Sequence, residues 1–192
     1  MKRKQTLGRA RNAEAGLTLL EVMIAGVVLM VGMLVGVLPM ITYGITTMRT
    51  TDEETIAKQK ARQIMESIYG ARDTSQLGWD SVNPTGVCTV NGTTTTCGAF
   101  LPGPQPMYGS GNDGIVGTAD DVNAGIETIT MANGQVRTLN EFQRTITIGN
   151  YTMPDGTISP TLRTLQVDVS YPVGTGGLRS TTTIHGLISQ YK

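Results

Sequence analysis

Between Val22 and Met48 the chain carries no charged side chain. These 27 residues would be roughly 40 Å long as a helix, against about 30 Å of hydrocarbon in a bilayer. The segment is therefore long enough to cross a membrane. Lys2, Arg3, Lys4, Arg9 and Arg11 precede it, with Glu14 the only acid among the first fifteen residues. Basic charge before a single span predicts that the N-terminus stays in the cytoplasm. Beyond this leader the chain holds ten Lys/Arg against fourteen Asp/Glu, a mildly acidic body. The whole is formally neutral, so no basic field points to nucleic acid.

Glu21 stands at the mouth of the apolar run. An ordinary secretory signal has an apolar core of about 7–15 residues and no acid in it, so it fits poorly. A simple signal anchor fits the length but leaves Glu21 without a reason. A carboxylate entering hydrocarbon costs several kcal/mol, and such residues usually have a partner and a task.

The octapeptide Ala15-Gly16-Leu17-Thr18-Leu19-Leu20-Glu21-Val22 resembles the processing site of type IV prepilins and the related type II secretion pseudopilins. That family has a short basic leader ending in Gly. A membrane peptidase cuts after this Gly, the new N-terminal residue is N-methylated, and a Glu occupies the fifth mature position. The resemblance implies cleavage between Gly16 and Leu17, methylation of Leu17, and an assembly role for Glu21. Leu17 departs from the usual Phe, a substitution the family tolerates. The likeness covers about residues 1–50; the rest corresponds in architecture only. In an assembled filament Glu21 is expected to meet the free α-amino group of Leu17 on a neighbouring subunit. Two desolvated charges offset each other's burial only when paired.

Gly26, Gly32 and Gly36 interrupt the larger apolar residues, and Gly32 and Gly36 have the G-x-x-x-G spacing that permits close helix approach in lipid. Pro39 is expected to kink or loosen the helix. Beyond the span, Ile56, Ala57, Ala61, Ile64, Met65 and Ile68 recur at helical spacing, with Lys58, Lys60, Arg62 and Glu66 between them. Leu17 to about Tyr69 reads as one helix capped by Gly70. Its first half is apolar all round, and its second half is amphipathic and should lie on a sheet.

Residues 71–125 read mostly as loop, with Pro102, Pro104 and Pro106 implying extended chain. Cys88 and Cys97 flank an Asn91-Gly92 turn signal. A zinc site needs about four ligands and His185 is the only histidine, so a disulfide stapling a Thr-rich hairpin is expected. Such a bond implies an oxidising compartment. Strand patterns follow at 127–131 and 135–139 around Asn133-Gly134, then at 142–148, 162–171 and 180–189. The expected fold is α+β: a long N-terminal helix over a C-terminal antiparallel sheet. The expected divisions are a removed leader 1–16, a transmembrane or filament-core helix 17–48, an amphipathic half 49–70, and a loop-rich β domain 71–192. The ending looks most like minor pilins of the pilus-modification type. Asn112, Asp113, Asp120 and Asp121 cluster among glycines, a composition open to calcium, which takes six to eight oxygens, or to a plain exposed turn.

His185 in an alternating strand reads as a sheet-face residue, and no phosphate loop or dinucleotide fingerprint occurs. An enzyme is therefore not expected, nor is any cofactor beyond possible calcium. The expected function is a structural, minor subunit of a type IV pilus or type II secretion pseudopilus. The resemblance implies bacterial inner-membrane insertion with the globular part periplasmic, then transfer to a pilus, pseudopilus or cell surface. Its implied partners are other pilin or pseudopilin subunits, the prepilin peptidase, and the inner-membrane platform with its assembly ATPase. The alternative is a single-span protein holding a periplasmic or surface binding domain outside any filament, which would need neither Gly16 nor Glu21.

Overall fold

The computed structural model describes residues 18–90, 93–131, 134–174 and 177–191, with backbone only at 46, 49, 50, 87–90 and 93–95. The processing positions Gly16 and Leu17 lie outside the described residues. The chain is α+β and divides into two compact units, Met1–Ile45 and Thr46–Lys192.

Helix α1 runs Leu19–Asp73. In the first unit it comprises Leu19–Ile45, with a mean hydropathy of 2.6 and none of its apolar window buried. This one N-terminal helix is long and apolar enough to cross a membrane. The helix continues through Pro39, and the Thr42 hydroxyl donates to the Leu38 carbonyl at 2.8 Å.

In the second unit the helix is amphipathic, as the spacing predicts. Ile56, Ala57, Ala61, Ile64, Met65 and Ile68 are buried, while Lys58, Arg62 and Glu66 face solvent. Ala57 and Ala61 are fully buried, and their small side chains permit close approach of the helix to its packing partner. The helix passes Gly70, the expected cap, and ends at Asp73. Ala71 and Arg72 extend the buried face by another turn, and Thr74 closes it by donating its N–H to Gly70 O at 2.9 Å. Ser75 then takes the left-handed conformation at φ 65°, and Leu77 returns its N–H to Ala71 O.

The main sheet has four antiparallel strands. We number the strands β1 Gly86–Val90, β2 Thr93–Cys97, β3 Gln105–Pro106, β4 Thr128–Thr130, β5 Val136–Thr138, β6 Gln143–Thr152, β7 Ile158–Val173 and β8 Leu178–Ser189. The sheet order is β3-β6-β7-β8, and β1-β2 and β4-β5 form separate two-stranded ribbons. Register follows the alternation in sequence. Ile146 stands opposite Val167, and Val167 opposite Ile184. Phe142, Ile146, Ile148, Leu165, Val167, Val169, Tyr171 and Ile188 are buried in the core, each such residue contributing about 1.5–3 kcal/mol. The alternate positions Gln143, Thr147, Thr164, Thr181 and Thr183 face solvent.

The segment expected as mostly loop holds more structure than its composition suggests. Leu77, Val82, Phe100, Met107 and Ile115 are all core residues. Arg163 fastens the first part of this segment. Its guanidinium lies 4.1 Å from the centre of the Trp79 ring and donates to Val82 O at 2.6 Å. The β4–β5 ribbon is tied to α1 by Arg137–Glu53 at 3.0 Å, and Glu127 beside it pairs with Lys60.

Candidate functional site

At the start of α1, Thr18 acts as the helix cap. Glu21 N–H donates to Thr18 O at 2.9 Å and reaches the Thr18 hydroxyl at 3.4 Å. Thr18-Leu-Leu-Glu21 is therefore the sequence of a capping box, with the acid in the first turn. Negative charge near a helix N-terminus is favourable by about 0.3–1 kcal/mol. This local role was legible in the T-x-x-E spacing and was missed beside the membrane argument. It accounts for an acid in the first turn, and it does not require that turn to enter lipid. Along the same helix, a methyl group added at Gly26, Gly32 or Gly36 would meet nothing within 4 Å. No described contact within the chain requires glycine at these positions.

The acidic loop is the second cluster. Of the four residues singled out by composition, three converge: oxygens of Asp113, Asp120 and Asp121 all lie within 4.8 Å of one another. Asn112 is exposed. The three carboxylates have different surroundings. Asp113 is exposed, and its Oδ1 accepts the Ile115 N–H at 2.8 Å, an Asx turn. Asp120 accepts the Thr118 hydroxyl at 2.6 Å and the Asp113 N–H at 3.1 Å. Hydrogen bonds from the Thr118 hydroxyl and then the Asp113 N–H hold its carboxyl below the ordinary value.

Asp121 is buried. It accepts N–H groups from Gly111 at 2.9 Å and Gly117 at 2.6 Å, and forms an ion pair with Arg144. Burial pushes its carboxyl up, against the N–H groups of Gly117 and Gly111 and the Arg144 charge, which pull it down. Burial likewise pushes the Arg144 guanidinium down. Arg144 also donates to Tyr108 O at 2.7 Å, and its Nε has no hydrogen-bond partner. Gly117 makes this arrangement possible. It sits at φ +102°, and a Cβ there would come 2.3 Å from Ile146 Cδ1, so only glycine brings this N–H to Asp121 without displacing the core.

Arg144 was not foreseen, though a signal existed. It shares strand parity with Phe142, Ile146 and Ile148, so its side chain belongs on the apolar face. A charge placed there calls for a buried counter-charge. The geometry makes Asp121 an anchor of the loop 111–125, with two carboxylates beside it whose oxygens already accept bonds from the loop. Those oxygens still have acceptor capacity for a hard cation.

Cys97 is disulfide-bonded. The side chain of Cys88, the only other cysteine, lies outside the described ones, but the backbone register places the two on the same face of the ribbon. Cys97 stands opposite Gly86, and Cys88 opposite Thr95. His185 is exposed on β8 opposite Gln166, as a sheet-face residue would be.

A polar recess of about 330 Å³ opens between α1 and the loop, lined by Lys60, Gln63, Tyr108, Ser110, Glu127 and Arg144 among others. Its charges are already matched, Lys60 with Glu127 and Arg144 with Asp121. No protein-family profile, curated protein sequence or solved structure matches the chain. What the structure establishes is the class: an α+β protein with one apolar N-terminal helix and a C-terminal antiparallel sheet.

Proposed function

We propose that this chain is a pilin-like filament subunit, inserted in the membrane by its apolar helix, cleaved after Gly16 and assembled through the same helix. The observation that carries the reading is the division of α1. Beyond Glu21 in the first turn, its first 27 residues are apolar on every side and unburied, and the same helix then presents one buried face to a sheet domain. A helix apolar all round needs an apolar surrounding: lipid before assembly, neighbouring helices after it. Gly26, Gly32 and Gly36, which no described contact crowds, would let those neighbours approach closely. In this reading Glu21, in the first turn that Thr18 caps, pairs with the Leu17 α-amino group of an adjacent subunit. The disulfide at Cys97 suits a globular part outside the cytoplasm. The protein's partners are other subunits of the same filament, the peptidase that removes the leader, and the membrane platform that assembles it.

The test is the intact mass and N-terminal sequence of the protein from membrane and sheared-filament fractions of its native host. A chain beginning at Leu17 with one added methyl is expected. Glu21→Ala is expected to remain membrane-inserted and disappear from filaments. A chain retaining Met1, or one cut beyond the apolar run, would remove the basis for assembly and favour a membrane-anchored binding domain.

A further inference from the structure

The main sheet protects one edge and leaves the other open. At the protected edge, β3 is two residues long and ends in Pro106, a short proline-bearing strand of the kind that blunts pairing. The other edge is β8, which runs twelve residues and pairs with β7 without a bulge from Leu178 to Ser189. From Ser180 to Gln190 it contains no Asp, Glu, Lys, Arg or Pro, so it lacks the charges and prolines that usually discourage strand addition.

The direction of its backbone groups can be read from the register. Gln190 N–H bonds Thr161 O at 2.8 Å, and this pair continues the β7–β8 register. Even-numbered residues of β8 therefore turn their N–H and C=O toward β7, and odd-numbered residues turn theirs to the open edge. Of these, Leu187 O is already taken by the Tyr69 hydroxyl at 3.2 Å. What remains open centres on Thr181, Thr183 and His185, a window five residues long. Among the described residues no strand pairs with it.

The same chain carries a segment of matching length and chemistry. Strand β2, Thr93–Cys97, is five residues long, consists of four threonines and a cysteine, and among the described residues pairs only with β1. The disulfide at Cys97 constrains the ribbon before it binds, which lowers the ordering cost of association. We infer that β2 of one copy adds antiparallel to the β8 edge of a second copy, over Thr181–His185. The β1–β2 register turns the backbone groups of Thr94 and Thr96 away from β1, so these two, opposite Thr183 and Thr181 and exchanging two bonds each, would form about four backbone hydrogen bonds. Thr–Thr cross-strand neighbours are favourable, and neither strand segment brings a charge to oppose another. Because the two patches differ, the contact is heterologous, and a heterologous contact that does not close propagates an open filament. In that respect the inference rests on the filament reading and names the sheet-side contact within it.

The experiment co-expresses two full-length chains in the native host, one carrying Thr183→Cys and the other Thr96→Cys. Membrane and sheared-filament fractions are treated with a short bismaleimide. A cross-linked dimer is expected about tenfold above that of either variant alone. Adding Thr181→Pro to the Thr183→Cys chain removes one outward N–H without touching the β7 ladder and should return the dimer to background. Thr181→Lys, which leaves the backbone intact, should do the same. Filaments containing both chains but no enhanced dimer would overturn the strand pairing and leave the filament reading standing. A Thr183→Cys homodimer that dominates the mixture would overturn it in favour of β8 meeting β8. Enhanced dimer in membranes of a chain that never enters filaments would keep the pairing and refute the filament reading.

Discussion

Replacing Asp121 by Ala removes the anion paired with Arg144, a residue with 2% exposure. It also strips the acceptor from the Gly111 and Gly117 N–H groups. Breaking one partner of a buried ion pair costs about 3–5 kcal/mol, because the remaining charge stays buried and uncompensated. Unpaired N–H groups add to this where water cannot reach them. We therefore expect a loss of about 4 kcal/mol, a large fraction of the roughly 5–15 kcal/mol by which domains are stable. The melting temperature should fall by roughly 10 °C. The assay is thermal and denaturant unfolding of the full chain in detergent, with and without calcium. The companion variant Asp121→Leu with Arg144→Met replaces the pair by apolar groups of similar size and should recover most of the loss. If Asp121→Ala costs under about 1 kcal/mol, or if the double variant is as unstable as the single one, the pair does not anchor the loop. Calcium should leave the wild-type melting point unchanged, since the Asp121 carboxylate is already neutralised by Arg144. A calcium shift lost in Asp113→Ala with Asp120→Ala would instead make the three acids a metal site.

Two further outcomes follow from the geometry. A Cβ at Gly186 would lie 2.2 Å from the Tyr69 hydroxyl oxygen and 3.2 Å from Met65 Sδ, so Gly186→Ala should destabilise by about 1–3 kcal/mol. Tyr69→Phe in the same chain removes the nearest atom and should return part of that loss in the same melting assay. The folded carboxyl of Asp120 sits below its ordinary value, held there first by the Thr118 hydroxyl. Its contribution is therefore present above the ordinary carboxylate value, near pH 4, and is lost as pH falls through the lowered folded value. Protection of the Asp113 amide, taken relative to the intrinsic exchange rate at each pH, should fall on acidification through that range, and Asp120→Asn should abolish that pH-dependent change in protection.

The long helix and the three main strands were legible because periodicity reports which face of an element is apolar. Ile56 to Ile68 at helical spacing, and Phe142 to Ile148 at alternate positions, each name a face without reference to anything distant. The 127–139 hairpin was legible for the same reason, with a turn signal between two strand patterns. The helix end was misread at Gly70. A glycine cap is a local preference, and burial of Ala71 and Arg72 outweighs it. Residues 71–125 were nearly silent, since Leu77, Val82, Phe100 and Met107 enter the core singly and show no period.

The sequence alone thus determined one uncharged 27-residue span behind a basic N-terminal stretch, an amphipathic continuation, and an antiparallel sheet. Those properties depend on residues close together in the chain. Tertiary structure decided that β8 is the open edge, that Arg144 lies under the acidic loop, and that Asp121 alone of its cluster is buried to meet it. Asp121 and Arg144 are 23 residues apart, and nothing local distinguishes Asp121 from Asp120 beside it. Only packing of the loop against β6 assigns one carboxylate to a guanidinium and leaves the other at the surface.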